Sequence, residues 1–261
     1  MNLGLDNRTA LVVGGGSGLG AAVARALAAE GARVVVAGRN EEALAAMVES
    51  IMAVGGDAFA VRLDLADLTT LASALELARE RYDEVEILFN NSGGPPPTPA
   101  SGESVDLWRN HFESMVLGVI ALTDRVLPAM QERNWGRVVT NVSSGVITPI
   151  PNLALSNALR LSLVGWSKTL AAEVAAQGVT VNLVVPGRIA TDRVRALDEA
   201  RAARDGTTKE AVAAASAATI PVGRYGNPEE YGAAVAFLAS AQASFITGTM
   251  LRVDGGQIAS I

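Results

Sequence analysis

The stretch that decides the fold reads Leu11-Val12-Val13-Gly14-Gly15-Gly16-Ser17-Gly18-Leu19-Gly20. It begins as a short apolar run, typical of a buried parallel strand, and then turns on glycine. The residues that follow are apolar at helical spacing until Gly31. A strand, a glycine-rich turn and a helix in this order form the first half of a dinucleotide-binding βαβ unit.

The glycines at 14, 18 and 20 have separate expected roles. Gly14 permits the tight turn, Gly18 lets the backbone approach a pyrophosphate, and Gly20 lets helix and strand pack closely. The start of the helix offers free N–H groups and the positive end of a dipole to the phosphates. A purely structural turn is the alternative, because any tight connection can use glycine. A second strand predicted from Ala32 to Ala37, directly after the helix, favours nucleotide binding.

The composition fits one large α/β domain, since the 261 residues are 49% hydrophobic and carry a net charge of −6. The acidic balance argues against nucleic acid or an anionic membrane as a partner. The chain has no cysteine and one histidine, which argues against disulfides and the usual metal sites. It shows neither a signal-like start nor a long apolar run, so we expect a soluble cytoplasmic protein.

Strand and helix patterns alternate along residues 1–261, which predicts one domain with a parallel sheet covered by helices on both faces. Further strands are predicted at 58–63, 87–89, 137–142, 179–185 and 249–253. Further helices are predicted at 41–54, 67–82, 104–133, 152–177 and 228–240. The segment 188–220 is charged and alanine-rich, and we predict one or two mobile helices there, over the mouth of the site. The distinctive loops follow carboxyl ends of strands, where doubly wound sheets bind ligands.

Several further motifs follow the glycine turn in the sequence. They are Asp64-Leu65, Asn90-Asn91-Ser92-Gly93, Asn141-Val142-Ser143-Ser144, Pro186-Gly187-x-Ile189-x-Thr191, Phe245-Ile246-Thr247-Gly248 and Val253-Asp254-Gly255-Gly256. With them, nearly the whole chain resembles the short-chain dehydrogenase/reductases, and most closely their β-ketoacyl-acyl-carrier-protein reductase branch. The resemblance implies a doubly wound Rossmann fold with seven parallel strands and a nicotinamide cofactor. It also implies a homotetramer and a small or acyl-carrier-linked carbonyl substrate.

The resemblance assigns cofactor contacts residue by residue. The turn from Gly14 to Gly20 would hold the pyrophosphate and the adenosine ribose, although Val13 replaces the Thr that the family usually has. Asp64 would accept from the adenine amino group, and Ile189 and Thr191 match positions that touch the nicotinamide carboxamide. The complete set of expected cofactor residues is Gly14, Gly16, Ser17, Gly18, Leu19, Gly20, Arg39, Asp64, Leu65, Asn91, Gly93, Arg160, Pro186, Gly187, Ile189 and Thr191.

Arg39 bears on the choice of cofactor. NAD enzymes commonly carry an acid at the end of the second strand, whereas a nearby Arg accommodates the 2′-phosphate of NADP. Here the strand ends in Ala37-Gly38-Arg39 with no acid before Glu41, which favours NADP(H) over NAD(H). The alternative is that Arg39 is only a solvated surface charge.

The catalytic positions of the family are largely replaced. The family uses Asn, Ser, Tyr and Lys, the last two spaced as Tyr-x-x-x-Lys on one helix. Ungapped alignment places Ser143 at the Ser position, Ser156 at the Tyr position, Arg160 at the Lys position and Met115 at the Asn position. A serine hydroxyl is far less acidic than a tyrosine hydroxyl, and a guanidinium stays protonated and cannot relay protons. Arg160 can still bind ribose hydroxyls.

Other residues are weak candidates for the missing acid. Tyr82 is expected in the core, and Lys168 is expected to be a solvated charge on its helix. Tyr225 at the edge of the 188–220 region and His111 one helical turn before Met115 stay open as alternatives, and Tyr231 lies near the last helix. Two readings therefore stay open: an NADP(H)-dependent oxidoreductase with an altered acid–base apparatus, or a catalytically inactive nucleotide-binding homologue with a regulatory or structural role.

Overall fold

The computed structural model of the protein describes residues 2–261. Its strands are β1 (Thr9–Val13), β2 (Arg33–Gly38), β3 (Asp57–Arg62), β4 (Ile87–Asn90), β5 (Gly136–Asn141), β6 (Val179–Pro186) and β7 (Met250–Val253). Its α-helices are α1 (Gly18–Ala29), α2 (Glu41–Met52), α3 (Thr69–Tyr82), α4 (Val105–Phe112), α5 (Gly118–Glu132), α6 (Ala154–Val174), α7 (Asp192–Asp205), α8 (Lys209–Ala218) and α9 (Pro228–Ala239). The strands form one parallel sheet in the order β3-β2-β1-β4-β5-β6-β7.

Apolar side chains cover both faces of the sheet, as the central strands require. In β1, Leu11 and Val13 belong to a core cluster with residues of α3, α5 and α6. Ala10 and Val12 point the other way, into a second cluster with residues of α1, α2 and α9. Successive side chains of a strand alternate between faces, so a continuous apolar run indicates burial on both. The predicted single α/β domain with a seven-stranded Rossmann sheet is confirmed.

The sheet reverses its strand order at β1. This strand pairs in parallel with β2 on one side and with β4 on the other. The connections therefore run in opposite directions from this point, and a crevice opens beyond the carboxyl ends of β1 and β4. In open α/β sheets, ligands bind in such a crevice.

The helix predicted over 104–133 differs from a single regular helix. It consists of α4 and α5 joined by a π-helical turn at Glu113–Leu117, where the Gly118 N–H bonds to the Glu113 carbonyl. Within this turn Met115 is buried in the core, and Leu117 lies exposed on the surface. The helical periodicity of the sequence contains no signal for the insertion.

The segment 188–220 contains two helices, α7 and α8, in line with the predicted number. Thr191 caps α7 and Thr208 caps α8, each accepting a hydrogen bond from a backbone N–H three residues on. The mobility of this segment stays a prediction. Within residues 2–261, none of the helices combines the length and hydrophobicity needed to span a bilayer.

Candidate active site

The glycine turn adopts the conformation that its sequence predicts. Gly14 and Gly18 have φ values of +67° and +55°, in the left-handed region that favours glycine. A Cβ on Gly20 would lie far inside the contact distance of the Gly14 carbonyl oxygen and 2.6 Å from its carbonyl carbon. The third glycine therefore allows strand and helix to approach, as expected.

The amino end of α1 is free to take an anion. Its cap, Ser17, is extended and makes no side-chain capping bond within the described part of the chain. The first turn of α1 also carries no acidic side chain. Unsatisfied N–H groups and the helix dipole attract a phosphate at such an end. Turn and helix together have the shape and charge that a dinucleotide pyrophosphate requires.

Other predicted cofactor residues converge on this turn. The side-chain amide nitrogen of Asn91, after β4, lies 2.7 Å from where a Cβ on Gly14 would be. The Thr191 methyl carbon, after β6, lies 3.8 Å from where a Cβ on Gly18 would be. The loop after β6 is fixed by the buried Ile189, whose backbone bridges to Gly226. The structure thus brings three strand ends together around one crevice.

The remaining predicted residues border the same edge of the sheet. Asp64 lies just beyond β3 and accepts a hydrogen bond from the Ala66 N–H at 3.0 Å, and Leu65 beside it is buried. Pro186 ends β6, and Gly187 packs so closely on Asp254 that a Cβ would lie 2.7 Å from the Asp254 Cα.

Arg39 lies exposed just after β2. The end of this strand is tied to the glycine turn, because the Gly15 N–H bonds to the Ala37 carbonyl at 3.1 Å. The position therefore lies beside the predicted adenosine end of the crevice.

A chain of hydrogen bonds links α9 to the crevice. The fully buried Tyr231 hydroxyl donates to the Asn141 side-chain oxygen at 2.9 Å, and the Asn141 amide donates to Asn91 at 3.0 Å. Burial raises the pKa of Tyr231 well above its ordinary range. Tyr231 therefore stays a neutral donor that orients the two asparagines. This role could not be predicted from the sequence, since the contact joins residues 90 positions apart.

Arg160 occupies the interior of the site. Its side chain is buried, and its guanidinium donates to the Asn141 carbonyl oxygen at 2.9 Å and to the Gly93 carbonyl oxygen. Burial, and secondly the charge of Arg193, lower the pKa of Arg160 to about 10. Arg160 remains a cation at neutral pH, placed between the carboxyl ends of β4 and β5.

The two serines lie at the ends of neighbouring elements. The Ser143 hydroxyl, after β5, accepts from the Gly145 N–H at 3.1 Å. Ser156, in the first turn of α6, is 7% exposed. Nearby, a cavity of about 540 Å³ lies between the loop after β5 and α6, lined in part by Val146, Ala154 and Asn157. The cavity is mainly apolar in its lining and large enough for a small organic molecule.

Sequence reasoning missed several contacts around the mouth. Arg193 of α7 reaches the loop after β4, where it donates to the carbonyl oxygens of Gly94 at 3.2 Å and Pro95 at 3.0 Å. The Tyr225 hydroxyl donates to the buried Asp198 at 2.8 Å, and Arg188 pairs with the same carboxylate at 2.6 Å. These bonds attach α7 to the loops after β4 and β6.

Three residues considered as a replacement acid, Tyr82, Lys168 and His111, lie on three different helices. Tyr82 is buried and donates to Asp57, which confirms its predicted place in the core. Lys168 is exposed on α6, as expected, and its ammonium also donates to the Gly248 carbonyl oxygen at 2.9 Å, in the loop before β7. His111 lies on α4, one turn before Met115.

The fold and the crevice define the doubly wound class of dinucleotide-binding proteins. Residues 14–257 match the family model described as "Enoyl-(Acyl carrier protein) reductase". The chain is 35% identical over 257 residues to 3-oxoacyl-(acyl-carrier-protein) reductase FabG of Salmonella typhimurium, covering 97% of this chain and 98% of that protein. It belongs to the short-chain dehydrogenase/reductase family, a family of oxidoreductases that act on carbonyl and CH–OH groups.

Solved structures give the same result. The L-sorbose reductase from Gluconobacter frateurii, complexed with NADPH and L-sorbose, superposes with a TM-score of 0.95 at 27% identity over 100% of both chains. An actinorhodin polyketide ketoreductase with NADPH superposes with a TM-score of 0.91 at 32% identity, covering 96% of this chain and 97% of that one. The predicted family is therefore confirmed.

Proposed function

We propose that the protein is an NADP(H)-dependent reductase of a carbonyl substrate, or a dehydrogenase of the matching alcohol, that works without a tyrosine acid. The observation that carries the proposal is the glycine turn at the uncapped amino end of α1, together with the buried cation Arg160 where the family has its lysine. By name, the similar proteins are a 3-oxoacyl-(acyl-carrier-protein) reductase, a sorbose reductase and a polyketide ketoreductase. These names support a carbonyl substrate.

The residues fit the cofactor, and each has a proposed role. The glycine turn and the amino end of α1 would hold the pyrophosphate, Asp64 and Leu65 the adenine, and Asn91, Gly93 and Arg160 the nicotinamide ribose. Pro186, Gly187, Ile189 and Thr191 would orient the carboxamide. The bound cofactor supplies the hydride. Orientation of this kind lowers the barrier even where proton transfer is poor.

The proposed chemistry of the protein's own side chains follows from their acidity. Ser143 and Ser156 would donate hydrogen bonds to the substrate oxygen and polarise it. Neither hydroxyl reaches the acidity of a tyrosine hydroxyl, whose pKa starts near ~10. The positive charge of Arg160 would stabilise developing negative charge on that oxygen, as oriented donors do in a low dielectric. Water would then supply the proton. Loss of a positioned general acid costs roughly 10²–10⁴-fold in rate, so turnover is expected to be slow.

One observation favours the second reading, a nucleotide-binding protein without turnover. Both known hydrogen bonds of Arg160 run to backbone carbonyls, so this side chain also acts as a structural tie. Measuring NADPH consumption with a panel of ketones, aldehydes and acyl thioesters separates the two readings. Reduction above the background rate supports the enzyme. No reduction of any compound by an NADPH-saturated protein supports the binding protein.

We predict that the protein binds NADP(H) more tightly than NAD(H). Arg39 stands beside the adenosine end of the crevice with no carboxylate before Glu41, so it would pair with a 2′-phosphate. Calorimetric titration should show at least about a 10-fold preference, which Arg39→Ala removes. The matched control is Arg125→Ala, an exposed arginine on α5. Equal affinities for the two cofactors, unchanged by Arg39→Ala, contradict the prediction.

We predict a homotetramer, which we propose to work in the cytoplasm. Large apolar side chains lie exposed in two areas: Val105, Phe112, Leu117 and Leu161 around α4 to α6, and Phe237, Phe245 and Met250 around α9 and β7. Two separate apolar areas suit two two-fold interfaces, and closed assemblies of that kind are common. Sedimentation velocity should show a tetramer that Leu161→Glu reduces to dimers, whereas Leu77→Glu on α3 leaves it unchanged. A wild-type monomer at micromolar concentration would show the prediction wrong.

A further inference from the structure

We propose that Arg193 binds an anionic group of the substrate, beside the positive charge of the buried Arg160, and that the substrate is a carbonyl compound bearing a carboxylate. The inference deepens the proposed function and rests on it for the carbonyl. It depends on two arginines that meet on one loop without an acidic partner.

Both guanidinium groups bind consecutive carbonyl oxygens of the loop after β4. Arg160 takes the Gly93 oxygen, and Arg193 takes the oxygens of Gly94 and Pro95. Within residues 2–261, neither arginine forms a salt bridge, and Asp192 beside Arg193 pairs with Arg195 instead. Carbonyl oxygens satisfy N–H donors but do not neutralise the two positive charges. Arg160 is 5% exposed, and a buried cation without a counter-charge is costly. Arg193 lies on the exposed side of the pair, where a ligand can reach it.

A second pair of arginines in the same protein shows the contrast. At the opposite edge of the sheet, Arg8 and Arg137 stack on Trp135 at 4.0 Å and 4.5 Å from the ring centroid. There Arg8 pairs with Glu86, so the cluster contains its own carboxylate. The pair on the loop after β4 lacks an acid and faces the crevice, so we infer that the missing anion arrives with a ligand.

The position of Arg193 is better suited to binding a substrate than to stabilising the fold. It lies two residues after Thr191, which abuts the glycine turn, and its side chain crosses to the loop after β4. Arg193 therefore spans the crevice between its two walls. A guanidinium presents parallel N–H donors that match a carboxylate, and such charged bonds are stronger than bonds to neutral carbonyls. A carboxylate entering the crevice can replace Gly94 and Pro95 as its acceptor.

Cofactor phosphates share this chemistry, so the experiment must distinguish the two sources. Oxamate serves as the carboxylate probe and oxamide as its neutral analogue of similar shape. Both are titrated by calorimetry into the protein with and without saturating NADPH, and inorganic pyrophosphate is titrated into the protein alone. The variants are Arg193→Met and, as a control exposed on the same helix, Arg195→Met. Arg193 carries the test because Arg160 is buried and its replacement endangers folding.

We expect oxamate to bind at least about 10-fold more tightly than oxamide, the usual effect of a hydrogen bond to a charged group. Arg193→Met should remove this difference and leave NADPH affinity within about 3-fold, while Arg195→Met changes neither. Equal binding of oxamate and oxamide overturns the proposal. Weaker NADPH and pyrophosphate binding by Arg193→Met, with oxamate unaffected, also overturns it and assigns the pair to the cofactor. Arg193-dependent oxamate binding by a protein that binds no NADPH refutes the proposed function but retains the anion site.

Discussion

Ser156→Tyr combined with Arg160→Lys is expected to create or raise ketone reductase activity by on the order of 10²-fold or more, the usual gain from a positioned general acid. The tyrosine would supply the proton that Ser156 cannot. The lysine would lower the pKa of this tyrosine through its nearby charge. The two changes must be made together, because each group depends on the other. NADPH consumption with a panel of ketones measures the result.

The structure suggests controls for this double variant. Ser156→Phe with Arg160→Lys adds the same ring without the hydroxyl, so it separates proton donation from a change in pocket shape. Arg160→Lys also gives up one or both carbonyl bonds, to Asn141 and Gly93, and a thermal melt should check folding. Met115→Asn is the third step, although Met115 is buried in the π-helical turn and the change carries a stability cost.

A folded double variant that binds NADPH but reduces nothing would contradict this expectation. Equal activity of the Ser156→Phe control and the double variant would also contradict it. Either result would mean that the pocket differs from that of ketone reductases beyond its acid. The alternative hypothesis, a nucleotide-binding protein without turnover, would then be supported.

Gly20→Ala is expected to have the largest effect on stability and cofactor binding. The new methyl group would lie 2.6 Å from the Gly14 carbonyl carbon, and neither backbone can move away without opening the turn. Overpacking of this kind costs about 3 kcal/mol, and occasionally more. Denaturant unfolding measures the loss of stability, and calorimetry should show NADPH affinity reduced by on the order of 10²-fold.

Ser73→Ala on α3 is the control within a helix. The exposed Ser73 hydroxyl donates to the Thr70 carbonyl oxygen of its own helix, so its removal should change stability by less than about 0.5 kcal/mol. Tight NADPH binding by Gly20→Ala, with stability like that of the control, would show that the close approach at Gly14 does not support the cofactor site.

The sequence predicted the sheet because its signals are local. Apolar runs such as Leu11 to Val13 and the glycines after them act over a few residues, so strands, helices and turn could be placed. Bounds shifted by only one or two residues in most elements. The alignment of motifs also predicts Arg160 in the cofactor site, and this role stays a prediction.

What could not be predicted depends on contacts between distant residues. Tyr231 and Asn141 lie 90 positions apart, and Arg193 and Pro95 lie 98 positions apart. A single sequence gives no information on such pairs. The π-helical turn before Gly118 is likewise unmarked, because one inserted residue barely disturbs apolar periodicity over a long helix.

We propose that the cofactor half of the site is intact and that its proton-donating half is replaced. A crystal structure of the protein with bound NADPH is the decisive test. We predict the pyrophosphate at the amino end of α1, Arg160 donating to the nicotinamide ribose, and no tyrosine hydroxyl at the substrate side of the nicotinamide. NADPH bound elsewhere, or a tyrosine such as Tyr225 brought to the nicotinamide by movement of α7, would contradict the account.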